Sequence, residues 1–439
     1  MQELTEILTQ ACRDGRFVLG TVDSAQTLGG DALRQEVERL RARLRAAACP
    51  PGAVVLFHGE QGAAAFCAFW ACVLEALVFA PVDPAWPEFL LGRTCARLHP
   101  ACVVAERPGD QPWHRLLPGC AVLAAEDPAA SAIASTPVPP VPAAPAAPAL
   151  LLCTSGSTGD PKIVVLSREV LADSARRVAG AFGWEAGEVL LNLPEPHTMS
   201  GLRNALIVAP LLGMHWLVLP PRQRPHLFAL LEVISSRRVN RLVAAPLLLR
   251  QINLLGDRVP REGLASLRAV YCTGADLHPA EVRRFHAQQG VTVINYYGLT
   301  ETAGLCLSQD PGHWTAADDS LGWPVGCEAR LVDADGVLPP GPGKGELQVR
   351  MAGAAPHYLA DAAATLLVPP GNVTFTVLVL ESLAQADVFG READALRALA
   401  SNLGQSDTFA READALRLLA DNLALADVLT QLVLRQRLV

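Results

Sequence analysis

The sequence predicts an α/β protein with a large layered core of parallel-type β-sheets covered by helices, a small antiparallel β-barrel-like subdomain, and a C-terminal tail of helical repeats. Three observations predict it. Short apolar runs of strand length alternate with helical stretches from residue 33 to about 300, short strands broken by Gly and Pro follow from Ala329 to Arg350, and two near-copies of a 20-residue unit follow from residue 386. A chain of 439 residues, 51% hydrophobic and 18% charged, is long enough for two or more domains and too apolar to be disordered.

The elements follow in order. Leu33, Val37, Leu40 and Leu44 recur at helical spacing among Arg and Glu, and Pro50-Pro51 ends that helix. Ala53 to Phe57 reads as a strand, residues 63 to 79 as an apolar helix, Val78 to Val82 as a strand, residues 86 to 98 as a helix and Ala101 to Ala105 as a strand. The stretch Ala63 to Val82 has Glu75 as its only charge and the length of a membrane span, but it runs into Pro81-Val82-Asp83-Pro84 without a basic flank, so a buried helix is expected. The Ala/Pro/Ser-rich segment 127–148 reads as a linker or long loop. Strands are then expected at Ala149 to Cys153, Val189 to Leu193, His215 to Leu219, Arg241 to Ala244, Ala269 to Cys272 and Thr292 to Tyr296. Asp335-Gly336 and Pro339-Pro340-Gly341-Pro342-Gly343 mark turns of an antiparallel subdomain, about 322–365. Residues 386–405 and 406–425 match at 13 of 20 positions, with Phe389, Ala393, Leu396, Leu399 and Leu403 forming an apolar face that the second copy repeats. The expected division is a core of residues 1–365 and a tail of residues 366–439.

Net charge is −8 with no run of Lys or Arg, which argues against nucleic acid as a partner and for small molecules. Eleven cysteines include no Cys-x-x-Cys pair, and Met1 to Arg16 lacks a basic start and apolar centre. Neither a disulfide framework nor a secretory signal is therefore expected, and a cytoplasmic setting fits. Lys162 and Lys344 are the only lysines.

Lys162 closes the run Thr154-Ser155-Gly156-Ser157-Thr158-Gly159-Asp160-Pro161-Lys162, which follows the apolar strand. Two glycines let the backbone approach an anion, the four hydroxyls turn to suit phosphate oxygens, and the lysine adds a mobile positive charge. The spacing is not that of a Walker loop, since Lys162 stands three residues after Gly159. A Ser/Thr/Gly surface loop is the bland alternative.

Other strings follow in a fixed order. They are Pro194-Glu195-Pro196-His197 with Gly201, Thr273-Gly274-Ala275-Asp276-Leu277, Asn295-Tyr296-Tyr297-Gly298-Leu299-Thr300-Glu301, Gly322-Trp323-Pro324-Val325-Gly326, Gly345-Glu346-Leu347-Gln348-Val349, and Tyr358-Leu359-Ala360-Asp361 with Thr365. In this order, from residue 33 to 365, the chain resembles the adenylate-forming superfamily, which includes acyl- and aryl-CoA ligases, nonribosomal adenylation domains and luciferases.

The resemblance implies ATP-dependent activation of a carboxylic acid to an acyl-adenylate, with Mg²⁺, and transfer to CoA or to a phosphopantetheine carrier thiol. It places Thr154, Ser155, Gly156, Ser157, Thr158, Gly159 and Lys162 on the phosphates, and Gly274, Ala275, Tyr297 and Gly298 around adenine with Asn295 reading its edge. Thr300 would touch the α-phosphate, Glu301 would hold Mg²⁺, and His197 would act in the acyl pocket. That pocket, from Met199 to Leu206 and around Cys272-Thr273 and Thr302-Ala303-Gly304, has no Asp or Lys to pair with an α-amino acid, so a fatty, aryl or other acid is expected. Read structurally, His197 is a core histidine and Tyr297 to Glu301 is a strand end whose following helix is capped by Thr300.

After Thr365 the family pattern would continue with a ribose-binding Gly-Asp segment and a small lid carrying a catalytic lysine, whereas residues 366–439 contain no lysine and carry the repeats. Three readings remain: a ligase core that is weak or completed by a lid-supplying partner, with an acyl carrier protein as a second partner; a non-catalytic nucleotide- or acyl-binding protein with an interaction tail; or a truncated pseudoenzyme.

Overall fold

A computed structural model of the chain describes residues 4–22, 27–126, 138–154, 161–219, 227–318, 320–333, 336–337, 346–351, 357–359 and 373–377. The phosphate-loop residues 155–160 and the repeats 386–405 and 406–425 lie outside the described residues.

Two large sheets organise these residues. In the nine-stranded sheet, Thr292–Tyr297, Ala269–Cys272, Arg241–Ala244, Val189–Asn192, His215–Val218 and Val18–Thr21 run parallel in that spatial order. Antiparallel strands close both ends, Leu307–Ser308 and Trp323–Pro324 at one and Thr27–Gly29 at the other. The seven-stranded sheet places Pro148–Thr154, Val78–Val82, Val54–His58, Cys102–Ala105 and Ala121–Ala124 in parallel, with Lys162–Ser167 and His357–Tyr358 added antiparallel beyond Pro148–Thr154.

Alternation along the strands decides which layer each residue joins. Val55 and Phe57 of one sheet and Leu190 and Val243 of the other share a single buried cluster with helices Ala63–Leu74 and Arg168–Phe182 and segment Met199–Leu212, so these helical segments lie between the sheets. Leu191, Leu242 and Ala244 point to the outer helices Leu227–Ser236, Pro246–Leu255 and Pro279–Gln289, while Leu56 and Val103 face helix Glu88–Leu98. The arrangement is helix, sheet, helix, sheet, helix. Ala63–Leu74 is buried from Ala64 onward, as a helix covered on all sides must be. It stops at Leu74 rather than at residue 79, because Ala76 takes a left-handed φ of +53° and Leu77 N closes the end on Cys72 O at 2.8 Å, while Glu75 accepts from Arg41 Nε at 2.7 Å and Arg45 Nη2 at 2.8 Å. Among the described residues no helix is long and apolar enough to cross a membrane.

Part of the expected linker is packed. Arg41 donates to the carbonyls of Val138 and Pro139, and Val141 N donates to Leu74 O at 2.8 Å. The small antiparallel sheet is present, with Gly336–Val337, Cys327–Asp333, Glu346–Met351 and Val373–Val377 in spatial order, so its last strand lies past residue 365. All eleven cysteines are free thiols.

Glu106, just after strand Cys102–Ala105, gives one testable consequence. Burial, reinforced by Glu60, raises its carboxyl to about 7 from 4.5, against smaller lowering effects from a backbone hydrogen bond and Arg107. Because the folded pKa is the higher one, this group's contribution to stability is complete below about pH 4.5 and is lost as pH rises through about 7. Glu106→Gln should therefore raise the Tm by a few degrees at pH 8 and leave it nearly unchanged at pH 5, measured by thermal denaturation at both values. A gain at pH 5 equal to that at pH 8 would exclude the ionisation as its cause.

Candidate active site

Both parallel regions present the C-terminal ends of their strands to the loops that carry the sequence motifs, the position where open α/β sheets bind ligands. Strand Pro148–Thr154 ends at Thr154 and the chain returns at Lys162, the two residues being register partners, so the Ser/Thr/Gly run is the loop of an antiparallel hairpin. Thr154 Oγ1 donates to Lys162 O at 3.5 Å across its neck. Ser155, Gly156, Ser157, Thr158 and Gly159 lie outside the described residues.

The neck of this hairpin meets the Asn-x-Tyr-Gly segment. The two-residue strand His357–Tyr358 pairs with Lys162–Ser167, bringing the Tyr358 ring to 5.0 Å from Lys162 Nζ. The Tyr358 hydroxyl donates to Glu301 Oε1 at 2.7 Å. Lys162, Tyr358 and Glu301 thus form one contiguous group, although 57 residues separate the last two in sequence. Sequence reasoning quoted Tyr358 in a motif and assigned it no role.

Glu301 sits in a single 3₁₀ turn, Thr300–Thr302, after strand Thr292–Tyr297. Leu299 is the cap residue of that turn, and the hydroxyl that closes it is Thr302 Oγ1, which accepts from Leu299 N at 2.9 Å and donates to Leu299 O at 3.0 Å. Thr300, proposed as the cap in the purely structural reading, is not used that way. Gly298 is required by packing, because a Cβ there would lie 2.5 Å from the carbonyl carbon and oxygen of Gly304.

Period-two alternation sets the adenine-side residues. Ile294 and Tyr296 are buried while Asn295 and Tyr297 are partly exposed on the other face. The Asn295 main chain is clamped by Gln309, whose Oε1 accepts from Asn295 N at 2.9 Å and whose N donates to Asn295 O at 3.0 Å. Burial pushes the Tyr297 phenol up to about 12, so the ring is neutral throughout the physiological range. The neighbouring strand ends at Cys272, opposite Asn295, and leads into Gly274 and Ala275, both exposed. Gly274 has φ +87° and open space where a Cβ would be, a conformation suited to glycine.

His197 stands where the two sheets meet. It follows strand Val189–Asn192, and its Nε2 is 3.8 Å from Asp83 Oδ2, just past strand Val78–Val82. Thr198 caps the next helix by accepting from Gly201 N at 3.1 Å, and a Cβ on Gly201 would overlap Glu195 O at 1.9 Å. The Pro194 to Gly201 string is therefore one tight turn. Its continuation, Arg203–Val208, is a π-helix, a geometry recurrent near functional sites, and within the expected acyl-pocket segment Arg203 and Asn204 are polar and fully buried.

The donor set suits a nucleotide with a hard cation. Among the described residues no three His, Cys, Asp or Glu side chains gather into a metal cluster, so a divalent ion here would rest on Glu301, whose Oε1 is held by Tyr358, and on ligand oxygens. Mg²⁺ is bound in this manner, by one or two carboxylates with phosphates and retained waters.

The profile of the family described as "AMP-binding enzyme" matches residues 9–359. The chain is 30% identical over 308 residues to CymA of Salinispora arenicola, a probable non-canonical nonribosomal peptide synthetase, covering 67% of this chain and 4% of that protein. It is 27% identical over 377 residues to the fatty acid–[acyl-carrier-protein] ligase MmaC of Mycobacterium marinum, covering 78% of this chain and 67% of that one. Among solved structures, the anthranilate CoA ligase AuaEII with anthranoyl-AMP superposes with a TM-score of 0.77 at 18% identity, over 85% of this chain and 73% of that chain, which shows a shared fold. The spans differ widely, since the chain also covers only 8% of the length of the nonribosomal peptide synthetase valB of Aspergillus terreus. With the candidate site residues from Thr154 to Glu301 lying within the matched span, the chain belongs to the AMP-binding enzyme family, a family of adenylate-forming acid ligases.

Proposed function

We propose that this chain joins a fatty, aryl or other carboxylic acid lacking an α-amino group to AMP, and passes the acyl group to CoA or to a carrier-protein thiol. The observation that carries the reading is the convergence of Lys162, Tyr358 and Glu301 at the mouth of the Thr154–Lys162 hairpin. A substrate carboxylate oxygen attacks the α-phosphorus of ATP, the bond from that phosphorus to the bridging oxygen breaks, and pyrophosphate leaves with the electron pair.

Catalysis of such a step is positioning and charge neutralisation. The residues of the Thr154–Lys162 run cradle the phosphates, Tyr297 stacks on adenine against Gly274-Ala275, Asn295 reads its edge, and Thr300 holds the α-phosphate. Glu301 carries Mg²⁺, which supplies charge neutralisation when bound. His197, kept near Asp83, orients the acid. MmaC and AuaEII, named for a fatty acid and for anthranilate, support an acid without an α-amino group.

ATP–pyrophosphate exchange by the full chain with a panel of fatty, aryl and amino acids tests the proposal. Exchange dependent on a fatty or aryl acid is expected. The 20-residue repeats of residues 386–425 favour a second reading, a non-catalytic nucleotide- or acyl-binding protein whose helical repeats mediate assembly. Mg²⁺-dependent ATP binding with no exchange across the panel would establish it in place of the first.

A further inference from the structure

We infer that Ser174, Arg177 and Arg203 are positioning residues that set the pose of Thr300 and Glu301 from inside the protein, an inference that rests on the proposed function. The turn they hold is strained. Ala303 has φ +53° and Gly304 φ +85°, two successive residues in the left-handed region, and for alanine that conformation costs roughly 1–2 kcal/mol. The turn's own bonds, Ala303 N to Thr300 O at 3.0 Å and Gly304 N to Leu299 O at 2.8 Å, leave the carbonyls of Thr302 and Ala303 for other donors.

Three side chains from two elements supply them. Ser174 Oγ, on helix Arg168–Phe182, donates to Ala303 O at 2.5 Å, and Arg203 Nη1, on the π-helix, donates to the same oxygen at 3.2 Å. Arg177 Nη2, one helical turn after Ser174, donates to Thr302 O at 3.2 Å. Ser174 and Arg203 are fully buried, so water does not compete for these bonds. A Cβ on Gly304 would come within 2.7 Å of Arg203 Nη1 and 2.6 Å of Met199 Cγ, so the turn packs directly on the guanidinium. Arg177 extends the clamp to the small sheet, reaching Met351 Sδ at 3.6 Å and lying where a Cβ on Gly326 would stand.

Charge explains why arginine is used. Arg203 Nε donates to Asn204 Oδ1 at 3.0 Å, Nη2 has no hydrogen-bond partner, and no ion pair of Arg203 occurs among the described residues. Burial lowers its pKa to about 10, against an opposing effect of Tyr296 and with a smaller push from Arg177, so it remains cationic at neutral pH. An unpaired buried cation is costly. Its place directly behind the turn puts a positive field where the front of the turn meets phosphate, and in a low-dielectric interior that field favours developing negative charge.

The full-length chain carrying Ser174→Ala, Arg203→Met or Arg203→Lys tests this by pyrophosphate exchange and by calorimetry of ATP binding across a Mg²⁺ series. Ser174→Ala, the smallest change, should lower exchange kcat about tenfold and move the acid KM less than about threefold, the signature of misplaced groups. It should also raise the Mg²⁺ concentration for half-maximal ATP binding, and Arg203→Lys should recover part of the activity lost in Arg203→Met. A lower Tm with native kcat and native Mg²⁺ dependence, measured well below the melting range, would reduce these residues to scaffold and overturn the inference. If the native chain exchanges pyrophosphate with no acid, the proposed reaction fails, and the Mg²⁺ dependence of ATP binding alone decides. Weakening in Ser174→Ala then upholds the clamp and an unchanged curve overturns it.

Discussion

Glu301→Gln is expected to lower acyl-adenylate formation by about 10²–10³-fold, the usual cost of removing one group that stabilises developing charge. Its Tm should change little, because the amide keeps the shape of the carboxylate in a turn whose closing bonds belong to Thr302 and Leu299. Tyr358→Phe should cost about 3- to 10-fold, since a hydrogen bond to a charged group contributes ~1.5–3 kcal/mol and part of that is regained by water at a half-exposed site. Its ring remains beside Lys162, so phosphate affinity should hold. The pair should be non-additive, with Tyr358→Phe nearly silent once Glu301 is neutral, because the phenol acts by fixing Glu301 Oε1 at 2.7 Å. Pyrophosphate release by the two single variants and the double variant measures all three terms. A native rate in Glu301→Gln would remove Glu301 from the reaction, and strict additivity would separate Tyr358 from it.

Strands buried on both faces were legible, and the physical reason is their composition. Val78–Val82, Arg241–Ala244 and Ala269–Cys272 coincide with the runs expected from sequence, and Val54–His58 is displaced by one residue from the expected 53–57. Each is a short apolar run bounded by turn residues, the signature of a strand in a parallel sheet. Pairings set by distant chain were not legible. Lys162–Ser167 returns antiparallel on Pro148–Thr154, and Val18–Thr21 pairs with His215–Val218 from the far side of the fold. The same holds within the site. Gly298, Thr300 and Glu301 announce themselves by their string, whereas Ser174 and Arg177 look like ordinary helix residues and Arg203 becomes notable only when its depth is known. The string Pro194 to His197 with Gly201 was visible in sequence; the π-helix that follows it at Arg203–Val208 was not.

Two motif glycines, indistinguishable as letters, should answer differently to alanine. In Gly298→Ala the new methyl would stand 2.5 Å from the carbonyl carbon and oxygen of Gly304 and 2.7 Å from Leu305 N, all of them backbone atoms that cannot rotate away. The turn must shift, at a cost of about 1–3 kcal/mol for overpacking, and the shift carries Thr300 and Glu301 with it. Loss of most adenylation is therefore expected together with a lower denaturation midpoint. In Gly274→Ala the methyl meets nothing within 4 Å, and only the left-handed φ of +87° is strained, at roughly 1 kcal/mol. That variant should fold nearly as stably as the native chain and lose ATP affinity, because the altered backbone is the surface against which adenine is proposed to lie. Urea denaturation paired with ATP titration resolves the two cases. Equal midpoints for native and Gly298→Ala would show that the Thr300–Gly304 turn relaxes freely, and with that the argument that its buried clamp fixes the catalytic pose would fall.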